Sequence, residues 1–181
     1  MSTTESLIKA IGDNPLPPVD QWNPQLCGEI DLIIKADGTW LYQGTPFTRH
    51  KMILLFSRVL KKEGHQYFLV TPVEKVAIKV EWMPFTIIDF EIIQQAKPVY
   101  RFFDNCENSV TLTEQTQINF SHYQSQQLPI IQIRKNLFAS FSRSCYYNLL
   151  QTASIEQQND THQVCIQSNN LNFCLGEFSE R

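Results

Sequence analysis

A Thr-Pro hinge between two β-rich runs is the feature that most constrains this chain. The stretch from Tyr67 to Phe85 reads YFLVTPVEKVAIKVEWMPF. Proline cannot donate to a strand ladder, so Thr71-Pro72 must separate a strand over Gln66–Val70 from a second over Val73–Glu81. In the second run Val76, Ile78 and Val80 share a face with Glu74, while Lys75, Ala77 and Lys79 share the other. A carboxylate on the apolar parity has to be paired, protonated or set at the rim of the core. Glu74 and Lys75 therefore address two different surfaces, and Lys75 is the one expected to face a second lobe.

Upstream, Ile30–Lys35 and Thr39–Gln43 flank Asp37-Gly38, a dipeptide suited to a two-residue hairpin turn. Such a turn pairs Lys35 with Trp40, Ile34 with Leu41 and Ile33 with Tyr42. It sets Ile30, Leu32, Ile34 and Leu41 on the core face. Asp31, Ile33, Lys35, Trp40 and Tyr42 then form an aromatic, charged face, suited to a planar ligand or to a seam against another lobe. Next, Met52, Leu55, Phe56, Val59 and Leu60 follow helical spacing, with Thr48 as N-cap, Lys61 and Lys62 in the last turn and Gly64 at the stop. Arg49 then lies in the first turn, against the positive end of the helix dipole, which suggests an anion site there or a pairing with Glu74.

At the N-terminus, Ser2-Thr3-Thr4-Glu5 offers a capping box for a short helix, and four prolines between Pro15 and Pro24 then force an extended segment anchored by Trp22. Beyond the hinge, Pro84 introduces a strand-like run from Phe85 to Ile93, and Lys97-Pro98 marks a boundary near residues 94–98. The organisation expected is an N-terminal helix and extended segment over 1–24, a first lobe over 25–95 and a second over 96–181. The second half repeats the order of elements: a strand over Pro129–Arg134, a helix capped by Ser140 or Ser142, then strands over Gln163–Gln167 and Leu171–Leu175 across a Ser-Asn-Asn turn. The fold class expected is α+β, with two lobes of similar strand-helix-strand plan, a duplication in which Arg134 stands ahead of its helix as Arg49 does.

The net charge of −3 leaves no electrostatic footprint for duplex nucleic acid. No apolar run reaches the length of a membrane span, and no basic-then-apolar leader opens the chain. Cys27, Cys106, Cys145, Cys165 and Cys174 show no CxxC and no close histidine, which reads as reduced thiols in the cytoplasm. GxSxG and HExxH are absent, so no catalytic residue and no metal ligand is assigned, and the sequence names no cofactor. The carboxylates of Glu29, Asp31 and Glu74 are the sole basis for a carboxylate- or metal-dependent hydrolase.

The segments CGEIDLII, DGTWLYQGTPFTR, LFSRVLKKEG and YFLVTPVEKVAIKVEWMPF resemble the signature of DUF1285, a bacterial family, closely from about Pro17 to Phe90 and more loosely through IIQIRKNLFASF and CYYNLL. The resemblance implies a duplicated α+β core, a C-terminal lobe similar to pleckstrin-homology folds, and a nucleotide-like ligand at the lobe interface with a signalling role. Carried onto this chain, it favours Trp40, Tyr42, Arg49, Thr71, Glu74 and Lys75 in the first lobe and Arg134 in the second. The chain departs from the family pattern at Ala77 and at Trp82-Met83. The function expected is thus a ligand-binding module for a small anionic or nucleotide-like ligand. Trp40 and Tyr42 offer stacking planes, and Arg49, Lys75 and Arg134 offer cations. A scaffold that binds a protein partner through the aromatic face is the alternative.

Overall fold

A computed structural model describes residues 16–158 and 161–178, with fifteen strands and two helices among them. The helix expected over the first twelve residues lies outside this range. The fold is mostly β, where strand-helix-strand lobes were expected. The chain divides into two compact units, Met1–Pro84 and Phe85–Arg181. The division falls at Pro84, upstream of the expected 94–98, because the run after Pro84 pairs with strands that follow it, and Lys97-Pro98 lies in a hairpin turn.

The first unit comprises β1 (Leu26–Ile34), β2 (Trp40–Tyr42), β3 (Thr45–Pro46), α1 (His50–Arg58), β4 (Leu60–Glu63), β5 (Gln66–Val70) and β6 (Lys75–Val80). They form one sheet in the order β3-β2-β1-β6-β5-β4, antiparallel throughout except where β1 and β6 run parallel. Alternation along these strands places Leu32, Ile34, Trp40, Leu60, Tyr67, Leu69, Val76 and Ile78 on one face, and all are buried. Phe47 links that face to the helix, stacking on Tyr42 at 6.0 Å and meeting Phe56 of α1 at 5.6 Å.

Two local readings change here. The β1–β2 loop has three residues, Ala36-Asp37-Gly38: the Lys35 amide donates to the Thr39 carbonyl at 2.8 Å, and Gly38 alone takes a positive φ, of 88°. Ile34 therefore faces Trp40, Ile33 faces Leu41 and Leu32 faces Tyr42, one residue off the expected register. A slip of one exchanges the faces, so Trp40 lies in the core at 1% exposure and Leu41 leaves it. The second change is at α1, which ends at Arg58 with Arg49 as N-cap. Lys61 and Lys62 are in β4, because Leu60 finds Leu69 as a cross-strand partner and Gly64, at φ 58°, opens the two-residue turn into β5.

The second unit opens with β7 (Phe85–Ile93), β8 (Val99–Asp104), β9 (Ser109–Thr111), β10 (Ile118–Tyr123), β11 (Gln126–Arg134) and β12 (Leu137–Phe141). Their order is β10-β11-β12-β7-β8-β9, with β7 and β12 parallel. Read from its other edge, this is the order of the first sheet: two three-stranded meanders joined where the first strand of one lies beside the last strand of the other. A duplicated six-strand plan fits this arrangement. The helices do not share the repeat, since α1 lies between the meanders and α2 (Arg143–Leu150) follows the second. Arg134, at the end of β11, corresponds to the end of β5 and not to Arg49.

Ser142 caps α2, its hydroxyl accepting from the Cys145 amide at 3.3 Å. A small sheet of β13 (Ser154–Gln158), β14 (Thr161–Ser168) and β15 (Leu171–Phe178) completes the unit. Fully buried Ser168 ties it to the larger sheet, donating to the Leu112 carbonyl at 3.1 Å and accepting from the Tyr100 amide at 3.2 Å. Among the described residues no helix is long and apolar enough to cross a membrane.

Candidate functional site

The Thr-Pro hinge is a closed turn. The Thr71 hydroxyl accepts from the amides of Val73 at 3.3 Å and Glu74 at 2.9 Å, and the Thr71 amide donates to the Glu74 carbonyl at 2.8 Å. Thr71 is buried and uses its polar groups on the turn itself. Its geometry starts β6 at Lys75, opposite Val70.

From there Lys75 reaches across β5 to Glu63 on β4, with its ammonium 4.3 Å from the centre of the Phe68 ring. Lys61, also on β4, places its ammonium 3.1 Å from the other Glu63 oxygen and donates to the Trp22 carbonyl at 3.2 Å. These residues share the sheet face opposite the core, since Lys61 pairs with Phe68 and Phe68 with Ala77. The lysine side chains are only 16% and 13% exposed, for Lys61 and Lys75 respectively. The hydrogen bond from Lys75, reinforced by Lys61, holds the Glu63 carboxyl below the usual glutamate range. One carboxylate thus serves two ammonium groups, and the cluster keeps an excess positive charge beside an aromatic ring.

The remaining expected residues do not converge on it. Trp40 is in the core, with its indole N–H lacking a hydrogen-bond partner. Tyr42, 43% exposed, pairs with Leu32 and so lies on the face opposite Lys75. Arg49 is exposed at the start of α1, and among the described residues no ion pair joins it to Glu74. One carboxylate oxygen of Glu74 is shielded from solvent without a hydrogen-bond partner. Glu29 pairs with Lys79 at 3.4 Å. Among the described residues no group of three or more His, Cys, Asp or Glu side chains is arranged to hold a metal ion.

Arg134 belongs to a half-buried network within the second unit. It donates to the Asn108 side chain at 3.2 Å and lies 5.1 Å from the centre of the Phe85 ring. Asn108 in turn donates to buried Asp104 at 2.7 Å. Burial pushes the Asp104 carboxyl above its ordinary range, against the pull of Asn108 and Arg134, and the same burial pulls Arg134 below the usual arginine value. Sequence reasoning missed Lys61, Glu63 and Asp104. The first two carried a signal, because the alternation of LKKE about Gly64-His65 is that of a hairpin.

A pair of six-stranded sheets with one strand order, each joined by a parallel first–last contact, defines a two-unit, mostly β class of protein. Family models place the chain within that class: a domain of unknown function (DUF1285), N-terminal domain, matches residues 17–83, and a protein of unknown function (DUF1285), C-terminal domain, matches residues 84–175. The chain belongs to the DUF1285 family. It is similar to the crystal structure of a DUF1285 family protein from Silicibacter pomeroyi DSS-3, with 35% identity, 96% of each chain covered and a TM-score of 0.81. It is also similar to a DUF1285 family protein from Shewanella baltica OS155, with 29% identity over 66% of this chain and 90% of that one, and a TM-score of 0.53. A comparison with curated proteins finds no match.

Proposed function

We propose that this protein is a ligand-binding module that takes a small anionic, nucleotide-like ligand and acts in signal transduction in the cytoplasm. The observation that carries the reading is the Lys61–Glu63–Lys75 cluster on Phe68. Two largely buried ammonium groups share one carboxylate, so a phosphate arriving there meets charge that Glu63 does not neutralise. Glu63 is the gate: an incoming anion competes with it for the lysines, and its release to water costs little because its side chain is already 37% exposed. Arg49, exposed at the N-terminus of α1 and in no ion pair among the described residues, is a second and separate cation for an anionic group. Stacking by Trp40 forms no part of the proposal. Five unpaired cysteines support the cytoplasmic location. A pleckstrin-homology-like second unit, suggested by antiparallel meanders followed by a helix, belongs to the same reading.

The test is thermal denaturation against nucleoside mono-, di- and triphosphates, cyclic nucleotides and inorganic pyrophosphate. A ligand at about 100 times its Kd adds about 2.7 kcal/mol of stability. Lys75→Ala should abolish the shift and Lys75→Arg should retain part of it. No shift with any member of the panel overturns the proposal. A protein-interaction role is the second reading. It is favoured by Leu26, the first residue of β1, and Val73, just ahead of β6, both exposed where the two parallel strands start.

A further inference from the structure

All five cysteines are unpaired, yet two of them face each other. The β14–β15 hairpin turns at Asn169-Asn170, both at positive φ, and its register sets Ser168 against Leu171, Gln167 against Asn172, Ile166 against Phe173 and Cys165 against Cys174. Direct antiparallel partners project to the same face with Cβ atoms about 4.5–5.5 Å apart. A disulfide needs Cβ atoms about 3.5–4.5 Å apart. The remaining gap is small, and it lies beside the register irregularity between Val164 and Cys165, where the regular ladder is already interrupted.

Alternation sends Phe173 and Leu175 to the buried side of β15 and Cys174 to the other. On that other side is a depression of about 400 Å³ lined by Glu156, Gln157, Gln163, Cys165, Asn172 and Cys174. Cys165 is buried and Cys174 is partly exposed. Burial pushes the Cys165 thiol up, and the neighbouring Cys174 pushes it the same way. No other cysteine has a cysteine as strand partner. Cys27 lies exposed near the start of β1, Cys106 is in the β8–β9 turn, and Cys145 is on α2 with its thiol pushed up to about 11.

We propose that Cys165 and Cys174 are a redox-active dithiol that is oxidised to an intramolecular disulfide by a small-molecule disulfide of the glutathione type. Accessibility sets the order of events. The Cys174 thiolate attacks one sulfur of the small disulfide; that S–S bond breaks and one small thiolate leaves. Cys165 then gives its proton to water and attacks the Cys174 sulfur, which breaks the mixed disulfide and releases the second small thiolate. The two cysteines give up two electrons and two protons, and the small disulfide leaves as two thiols. Cys174 is the entry thiol because solvent reaches it, and Cys165 is the resolving thiol because it is buried beside it.

The experiment equilibrates the full chain with graded ratios of reduced and oxidised glutathione, quenches with acid, alkylates, and measures intact mass and peptide maps. The expected product is lighter by the mass of two hydrogen atoms, maps to one cross-linked peptide pair holding Cys165 and Cys174, and reverts under reduced glutathione. Cys165→Ser should halt the reaction at a persistent glutathione adduct on Cys174, and Cys174→Ser should leave Cys165 unmodified. A wild-type chain that stops at the glutathione adduct, or that cross-links a different pair, overturns the proposal. A second measurement needs no variant. Phenylarsine oxide bridges adjacent thiols, so one equivalent should protect both positions from alkylation, and alkylation of both in its presence would also overturn the proposal.

Discussion

Replacing Asp104 tests whether Arg134 is a ligand residue or a brace. The carboxylate stands at the end of β8 and accepts from the amides of Cys106 at 2.8 Å and Asn108 at 2.9 Å, and from the Asn108 side chain at 2.7 Å. Arg134 joins through Asn108. Asp104→Ala would strand two backbone amides and the Asn108 side-chain amide beside the half-buried Arg134. An orphaned buried donor costs about 1–3 kcal/mol, and since three donors lose one shared acceptor the expected loss is about 3–5 kcal/mol. Asp104→Asn keeps shape and one acceptor, and should cost about 1–2 kcal/mol. Arg134→Met should cost less in the Asp104→Asn background than alone, by about 1 kcal/mol of coupling. The assay is urea unfolding followed by far-UV circular dichroism, in which an m-value of about 2 kcal/mol/M converts the Asp104→Ala loss to a midpoint shift of about 2 M. Trp22, Trp40 and Trp82 all lie in the first unit, so tryptophan fluorescence follows that unit while far-UV circular dichroism follows both. The brace is refuted if Asp104→Ala is within about 1 kcal/mol of wild type, or if Arg134→Met abolishes ligand binding with stability unchanged.

Glu63 and Asp104 should titrate with opposite sign. Glu63 has a folded pKa below its unfolded value, so its stabilisation is present above the unfolded value and lost as pH falls through the folded one; Asp104 is raised, so its contribution is present below the unfolded value and lost as pH rises through the folded one. Glu63→Gln should therefore lower urea stability by no more than about 1 kcal/mol near neutral pH and by progressively less as pH falls through the folded value, while Asp104→Asn should be less harmful at neutral pH than its lost hydrogen bonds suggest. Gly64→Ala meets no atom within 4 Å but holds φ 58°, so its cost is backbone strain alone, about 1–2 kcal/mol by urea midpoint. Ser142→Ala should cost about 0.5–2 kcal/mol by the same measure, and Ser142→Asp should recover most of it. Arg49→Asp puts a favoured cap where none operates and should stabilise the first unit by about 1 kcal/mol in tryptophan fluorescence.

Strand content and most element positions could be read from alternation and turn chemistry, as the runs on either side of Thr71-Pro72 illustrate. Register was harder. Asp37-Gly38 suits a two-residue turn, but a three-residue loop needs only Gly38 at positive φ, and that one-residue difference carries Trp40 from a ligand face into the core. Val59 and Leu60 continue the helical stripe of α1 equally well as they begin a strand, and only the partner Leu69, which is distant in sequence, decides between them. That decision also moves Lys61 and Glu63 out of a solvated helix end and beside Lys75. The Cys165–Cys174 pair was legible in principle. Once the Ser-Asn-Asn turn is recognised, counting outward from Asn169-Asn170 brings the two together, whereas a search for CxxC spacing passes over them.

The parallel contact between β1 and β6 governs how the first unit can emerge from a ribosome. Leu32-Ile33-Ile34 can pair with β2 almost as soon as it is made, but its other edge stays open until Val80 has been synthesised. During that interval an apolar strand edge is available to other chains. The second unit repeats the exposure, because Phe85–Ile87 waits for Ala139–Phe141. Each six-stranded sheet is therefore completed by its last strand, and a chain truncated within β6 or β12 would carry a sticky edge rather than a smaller folded domain.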